Sequence, residues 1–241
     1  MYSRIWNNRV KMRLIVFTGA GMSAESGIQT FRGSGGLWEN HRVEDVASPE
    51  AWQKKPELVT RFYNKRREQL RQVAPNDAHL FLAELEGRLD MQIITQNIDD
   101  LHERAGSKKV LHLHGELLKA RCVIHEEEIV DLGEKQLYIG SKASCGNQLR
   151  PHVVWFGEAV PAYESALHLV RDAQALIVIG SSLKVYPAAG LVFELAKHCP
   201  LAYVDPGSNP MKGIREVFHI QKSATKGLVD IEDWLSSIGA L

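Results

Sequence analysis

The sequence predicts an α/β fold: a parallel sheet with helices on both faces, plus a smaller inserted subdomain. Three observations predict it. Short apolar runs recur along the chain, and most are continuous, as in strands buried on both faces. Helical patterns separate them. A glycine turn follows the first run directly, which is the Rossmann-like arrangement. The chain has 241 residues, 44% of them hydrophobic, so a substantial core can be buried.

The first run covers residues 14–17 and ends at Gly19. The second covers 92–95. The third, 110–113, alternates, while the fourth, 175–179, is continuous. A fifth covers 201–204. Between them lie helix signals. Ser48-Pro49-Glu50 supplies an N-cap, a proline at the first helical position and an acidic first turn. Pro56 opens a helix running to about Val73. Asn76 or Asp77 caps another, through about Leu85. Asp100 and Glu103 have capping-box spacing for a short helix that stops at Gly106. Residues 188–199 and 227–238 complete the set. Two stretches break the rhythm, 31–75 and 119–151, and are expected to form the smaller subdomain. The core then comprises residues 12–30, 76–118 and 152–238, and the cleft between the two parts is the expected ligand site.

Composition narrows the partners. Lys and Arg number 29, matched by 29 Asp and Glu, so nothing electrostatic favours nucleic acid or an anionic membrane. No apolar run has the length of a membrane span. The first residues are polar and basic, unlike a signal peptide, and a cytoplasmic location is expected. Three cysteines, Cys122, Cys145 and Cys199, are too few and too scattered for a disulfide framework.

The ends of the strands carry the chemistry. Gly19-Ala20-Gly21-Met22-Ser23-Ala24 matches the G-x-G-x-x-G/A fingerprint, in which the turn opens a helix whose N-terminal backbone N–H groups approach a pyrophosphate. The acidic residue expected about 20 positions later is missing, which argues against a hydride-transfer dehydrogenase. The second strand leads to Gln96-Asn97-Ile98-Asp99, the third to His112-Leu113-His114-Gly115, the fourth to Gly180-Ser181-Ser182, and the fifth to Asp205. Ligands of open parallel sheets bind beyond these ends. Asp99 or Asp100 reads as a helix cap, with Asp100 favoured, and Asn97 is also compatible with a turn. Period-two alternation puts His112 and His114 on one face. His114, before a glycine and facing the cleft, is the candidate general base; His112 is read as supporting.

In combination these motifs resemble those of the sirtuins. Residues 19–28 with Thr30-Phe31-Arg32 resemble their NAD-binding signature. Thr95-Gln96-Asn97-Ile98-Asp99 with Leu101, His102 and Gly106 resembles a second motif, and His112-Leu113-His114-Gly115 a third. Val154-Trp155-Phe156-Gly157-Glu158, Gly180-Ser181-Ser182 and Val185-Tyr186-Pro187 continue the likeness, which is greatest to the bacterial class III members. The resemblance implies a single catalytic domain over residues 1–241 that uses NAD to remove acyl groups from protein lysines. The acyl oxygen would attack the nicotinamide ribose, and His114 would deprotonate a ribose hydroxyl. Nicotinamide and O-acyl-ADP-ribose would be the products. Asn97 and Asp99 would position ribose, nicotinamide and water. Gly19, Ala20, Gly21, Ala24, Gln96, Ile98, Gly180 and Ser182 would line the cofactor site. Phe31 would shield the reactive face, Arg32 would order the cofactor loop, and Ser181, Asp205 and Ala224 would lie near the adenosine half.

The resemblance also bears on substrate and metal. A peptide would add as a strand between residues 157–160 and 182–186, touching Phe156, Gly157, Glu158 and Val185. Tyr63 and Arg66, three apart on one helix face, would bind the terminal carboxylate of succinyl- or malonyl-lysine, with acetyl-lysine a further substrate. Without the resemblance, Lys65-Arg66-Arg67 reads as a solvated face. Sirtuins commonly hold a structural zinc by two Cys-x-x-Cys pairs. This chain has Cys122-Val123-Ile124-His125 and Cys145-Gly146-Asn147-Gln148, too few good ligands for a four-coordinate site, so no zinc is expected. A monomer is expected. Rival readings are an NAD hydrolase or ADP-ribosyltransferase, and a non-catalytic module that binds NAD or ADP-ribose.

Overall fold

The computed structural model describes residues 12–29, 37–38 and 41–241. Strand β1 (Arg13–Thr18) opens the chain's core. The hairpin pair β2 (Leu37–Trp38) and β3 (His41–Arg42) precedes helices α1 (Val43–Val46), α2 (Pro49–Lys54), α3 (Pro56–Gln72) and α4 (Asp77–Arg88). Strand β4 (Asp90–Thr95), helix α5 (Leu101–Ala105) and strand β5 (Val110–His112) follow. Strands β6 (Gly115–Cys122), β7 (Ile129–Asp131) and β8 (Leu149–Val153) come next. Helix α6 (Tyr163–Arg171), strands β9 (Ala175–Ile179), β10 (Leu201–Val204) and β11 (Phe218–Ile220), and helix α7 (Leu228–Ser237) complete the order.

Six strands form one sheet in the order β11-β10-β9-β1-β4-β5, with every neighbouring pair parallel. The apolar run in β1 is continuous because both faces are buried. Leu14 and Val16 join Leu82 and Leu85 of α4 and Trp234 of α7 in one cluster. Ile15 and Phe17 join Ala166 and Val170 of α6 in the other. Among the described residues, no helix is long and apolar enough to cross a membrane.

A second sheet, β7-β6-β8, is antiparallel and has its own small cluster, including Ala120, Leu137 and Leu149. Helices α1 to α3 share a further cluster with Leu117, Val153 and Trp155. This second body overhangs the carboxyl end of the parallel sheet.

Ser48 caps α2, accepting from the Ala51 amide at 3.1 Å. Asn76 caps α4 through a reciprocal box with His79. Three sequence expectations require correction. The segment after the glycine turn is not a continuous α-helix but two 3-10 turns, Ala20–Met22 and Ala24–Ser26, stopped by Gly27 at φ 96°. Asp100 precedes α5 but makes no capping bond. Its φ of −101° and ψ of 20° lie away from the extended geometry of a cap, and its carboxylate lies 3.7 Å from Arg104 instead. Asp99 Oδ1 accepts from the Leu101 amide at 3.3 Å. Residues 188–199 hold a 3-10 segment, Ala188–Glu194, in place of an α-helix; Gly190 and the bulky Val192-Phe193 pair disfavour α propagation. Two elements were not anticipated: β11, only three residues long with Phe218 half exposed, and α6, an amphipathic helix that buries Ala166 and Val170.

The first turn and the end of β9 meet backbone to backbone. The Gly21 amide donates to the Gly180 carbonyl at 2.8 Å, and the Gly19 amide to the Ile179 carbonyl at 3.0 Å. A Cβ on Gly21 would stand 2.7 Å from Gly180 Cα, and one on Gly19 2.8 Å from Gly180 O. Gly180 itself has φ +63°, and a Cβ there would stand 2.4 Å from the Met22 amide nitrogen. The glycines are therefore required by chain crossing, and the Gly21 amide is already engaged within the protein. Gly180→Ala combines left-handed strain with a backbone clash and should cost roughly 2 to 4 kcal/mol, read as a lowered urea midpoint with an unchanged slope.

Candidate active site

The cleft lies between the carboxyl ends of β1, β4 and β5 and the overhanging second body. Its floor is built by a hydroxyl that the sequence reading did not single out. Ser23, almost fully buried, donates to Asp99 Oδ2 at 3.0 Å and accepts from Asn97 Nδ2 at 3.0 Å. Asn97 is further fixed by its amide, which donates to Thr95 Oγ1 at 3.0 Å. Burial raises the Asp99 carboxyl above its ordinary range, against the Leu101 amide and Ser23, which lower it. The only sequence signal for Ser23 was its place inside the glycine motif.

Two histidines leave β5 on the same side but differ in partners. His114 Nδ1 lies 3.0 Å from the Gln96 carbonyl. A carbonyl only accepts, so Nδ1 carries the proton and Nε2 keeps its lone pair. Burial pushes the imidazole below its usual pKa, and the Gln96 carbonyl only partly offsets this. His114 lines the cleft. His112 sits between two acceptors, the Asn97 carbonyl at 2.9 Å and Glu103 Oε1 at 2.8 Å. Burial, the largest single influence, lowers its pKa, but the Glu103 carboxylate and the Asn97 carbonyl together outweigh it and leave the pKa raised. Behind the Ser23 network, the rings of His79 and His102 meet edge to face at 4.9 Å. Burial holds His79 down to about 4 and His102 well below its usual value. His102 Nε2 also lies 3.1 Å from Thr18 Oγ1.

The opposite wall of the cleft is a chain of side chains. Tyr63 and Arg66 line it, and both are buried, as is Arg67. This overturns the solvated-face reading of that basic run: only Lys65 faces solvent, because the helix packs one basic face inward. Trp155 Nε1 donates to the Tyr63 hydroxyl at 3.0 Å. The Arg150 guanidinium stacks 3.5 Å from the Trp155 ring centroid and binds both oxygens of Glu158, at 2.6 and 2.9 Å. Glu158 also accepts from Arg121 at 3.2 Å and from the Trp155 amide at 2.8 Å. Burial raises the Glu158 pKa, but the bonds from Arg150 and the Trp155 amide outweigh it and leave the group below its ordinary value. Its carboxylate is thus committed to holding the wall.

The remaining candidates divide by position. Ala20, Gln96, Ile98 and Asn97 line the cleft, as do Phe156, Gly157 and Val185. Gly19, Gly21 and Gly180 form the backbone crossing beneath it. Ser181 donates to Gln96 Oε1 at 3.1 Å, leaving Gln96 Nε2 buried with no partner among the described residues. Ser182 and Ala24 are partly buried and lie beside the crossing. Asp205 is buried after β10 and accepts from the Gly207 amide at 2.8 Å. Ala224 is brought toward the first turn by Glu25, which accepts from the Thr225 amide at 3.0 Å and from Ser223 at 3.1 Å. Phe31 and Arg32 lie outside the described residues. The two expected peptide-flanking segments are not plain strands. Gly157 has φ 92° within a turn closed by the Glu158 amide on the Trp155 carbonyl, and Leu183 has φ 53°.

The metal question turns on the donors present. Cys122 Sγ, Cys145 Sγ and a Glu128 carboxylate oxygen lie within 4.8 Å of one another. Glu128 is a donor that the sequence reading missed. His125 offers its amide to Cys122 Sγ, at 3.4 Å, while its Nδ1 lies 4.0 Å from Glu127. Three donors, one of them already held by the Ser144 amide at 2.5 Å, do not fit the closed four-coordinate shell of a structural zinc.

Comparison with known proteins bears on the same residues. The Sir2 family model matches residues 19–187. An NAD-dependent protein deacylase of Helicobacter pylori (strain ATCC 700392 / 26695) is 50% identical over 218 residues, covering 90% of this chain and 95% of its own. One of Bacteroides thetaiotaomicron is 47% identical, covering 92% and 97%. A solved structure of a Sir2 homologue in complex with NAD superposes with a TM-score of 0.84 at 37% identity, over 95% of this chain and 91% of that one.

The His112–Glu103 pair has a defined pH signature. The folded-state pKa of His112 lies above the unfolded 6.5, so its stabilisation is complete below 6.5 and disappears as pH rises through the folded value. Glu103→Gln should therefore lower the urea midpoint most at about pH 5.5, and the difference from wild type should shrink toward about pH 9.

Proposed function

The chain belongs to the Sir2 family, and from that premise we propose that its cleft performs NAD-dependent removal of acyl groups from protein lysines. The observation that carries the reading is His114: a neutral imidazole whose Nδ1 is pinned by the Gln96 carbonyl and whose basic Nε2 is left for the cleft. Gln96 Nε2, without a partner among the described residues, supports a polar ligand at the same place, since a buried donor without an acceptor is costly. When bound, NAD supplies a glycosidic bond to nicotinamide whose cleavage exposes the ribose to the acyl oxygen. The chain's own residues do the rest. Asn97 and Asp99, held by Ser23, orient the sugar and the attacking water. His114 Nε2 takes the proton of a ribose hydroxyl. Ala20, Ile98 and the glycine crossing give the cofactor a closely fitted bed. Ser181, Asp205 and Ala224 serve its adenosine half.

The acyl group is read from the far wall. Arg66 and Tyr63 are a buried cation and a phenol at the cleft, the pairing that suits a terminal carboxylate. We therefore assign succinyl- and malonyl-lysine as the favoured substrates, with acetyl-lysine accepted. The peptide backbone lies along Phe156, Gly157 and Val185.

Nicotinamide release with and without an acyl-lysine peptide tests the reaction. Release that requires the peptide is expected; release without it would instead mark an NAD hydrolase, and binding without release a passive module. His114→Ala should lower kcat/KM by roughly 10²- to 10⁴-fold. In the wild type, kcat/KM should fall with acidification through an apparent pKa below 6.5, because burial depresses the base. Arg66→Met should reduce desuccinylation by about 10-fold or more, as expected for a lost charge-assisted bond, while deacetylation changes far less. Equal losses would remove the acyl assignment.

A further inference from the structure

We propose that Cys122 and Cys145 form a reversible dithiol–disulfide pair, an oxidisable site that stands where the family's metal centre would be expected. The sulfur atoms are already 3.5 Å apart, while a disulfide needs about 2.05 Å, so each has less than an ångström to move if both share the closure. Cys122 ends β6, and Cys145 sits in the turn closed by the Ala143 amide on the Asn147 carbonyl. That turn can yield. Gly146 in it has φ 83° with open space around it, and Cys145 is exposed.

The two thiols are not equivalent. Cys122 is buried and accepts N–H bonds from Ile124 and His125, each at 3.4 Å. Cys145 meets solvent and accepts from Asn147 Nδ2 at 3.3 Å. Donors at both sulfurs stabilise negative charge there, and the exposed one is the accessible nucleophile. The oxidant is a peroxide. The Cys145 sulfur attacks one peroxide oxygen and the O–O bond breaks, leaving a sulfenic acid; the departing oxygen leaves as water with the Cys145 thiol proton. Cys122 then attacks the sulfenic sulfur, the S–O bond breaks, and the second oxygen leaves as water with the Cys122 proton. Two thiols and one peroxide give one disulfide and two waters. The bond would join the end of β6 to the turn before β8, stapling two strands that are already neighbours in the small sheet.

Cys199 is an internal control. It packs against the parallel-sheet core, with its thiol 3.4 Å from the Ala173 carbonyl. The test treats the chelator-washed protein with a small excess of hydrogen peroxide, then counts thiols after denaturation and maps peptides without reductant. Of the three cysteines, one free thiol should remain, at Cys199. The 122 and 145 peptides should run as one species, and a dithiol reductant should restore all three. Cys145→Ser should keep Cys122 free under the same treatment. Three persistent thiols would overturn the proposal, as would Cys145 oxidised alone beside a free Cys122, or one tightly held zinc per chain shielding both sulfurs.

Discussion

A close crossing of two backbones sets the geometry of this molecule's working end. The first turn lies directly against the end of β9, with Gly21 bonded to Gly180 and no room for a side chain on either partner. Parallel strands place their carboxyl ends on one edge, but that edge alone does not bring the first turn over the neighbouring strand ends. The crossing does so, and it directs Ser23 toward β4. Ser23 then holds Asn97 and Asp99 from residues 74 and 76 positions away. A glycine motif usually explained by phosphate approach is here, first of all, a packing requirement of the sheet.

The cleft's protonation pattern follows from which acceptors each histidine meets. His112 and His114 come from one strand, two residues apart. His112 finds a carboxylate and a carbonyl, which favour the cation. His114 finds a carbonyl alone, so burial prevails and the ring stays neutral. Among the described residues, His79 and His102 have no carboxylate in hydrogen-bond contact, and burial drives them further toward neutrality. The two imidazoles are therefore shifted in opposite directions although they leave one strand two residues apart.

Legibility in the sequence tracked the range of the forces involved. Four of the five apolar strands were readable because burial on both faces removes alternation, while β5, at the sheet edge, was readable by its alternation. The Ser48 and Asn76 caps were readable because their bonds span three residues. Where the deciding contact is distant in the chain, local pattern failed. Ser23 looked like filler within a glycine motif, Glu128 had no sequence link to the cysteines, and Arg67 looked like solvated charge although it is fully buried. There its guanidinium donates to the Leu117 carbonyl at 3.0 Å, 50 residues away. Asp100 failed differently: its spacing suited a cap, but its backbone angles did not, and Asp99 took the bond.

The substrate wall shows why so much buried charge is tolerated here. An unpaired guanidinium or carboxylate at this depth would cost several kcal/mol. Glu158 avoids this by accepting from Arg150, Arg121 and the Trp155 amide together, and Arg150 adds the face of Trp155. Trp155 then has one orientation, and its indole N–H fixes the Tyr63 oxygen. Charge compensation in the small sheet is in this way transmitted to the phenol facing the cleft. Because Arg121 lies in β6 and Arg150 in β8, the pocket wall and the antiparallel sheet form one electrostatic unit. The insertion, not the parallel core, is what gives the cleft its second side.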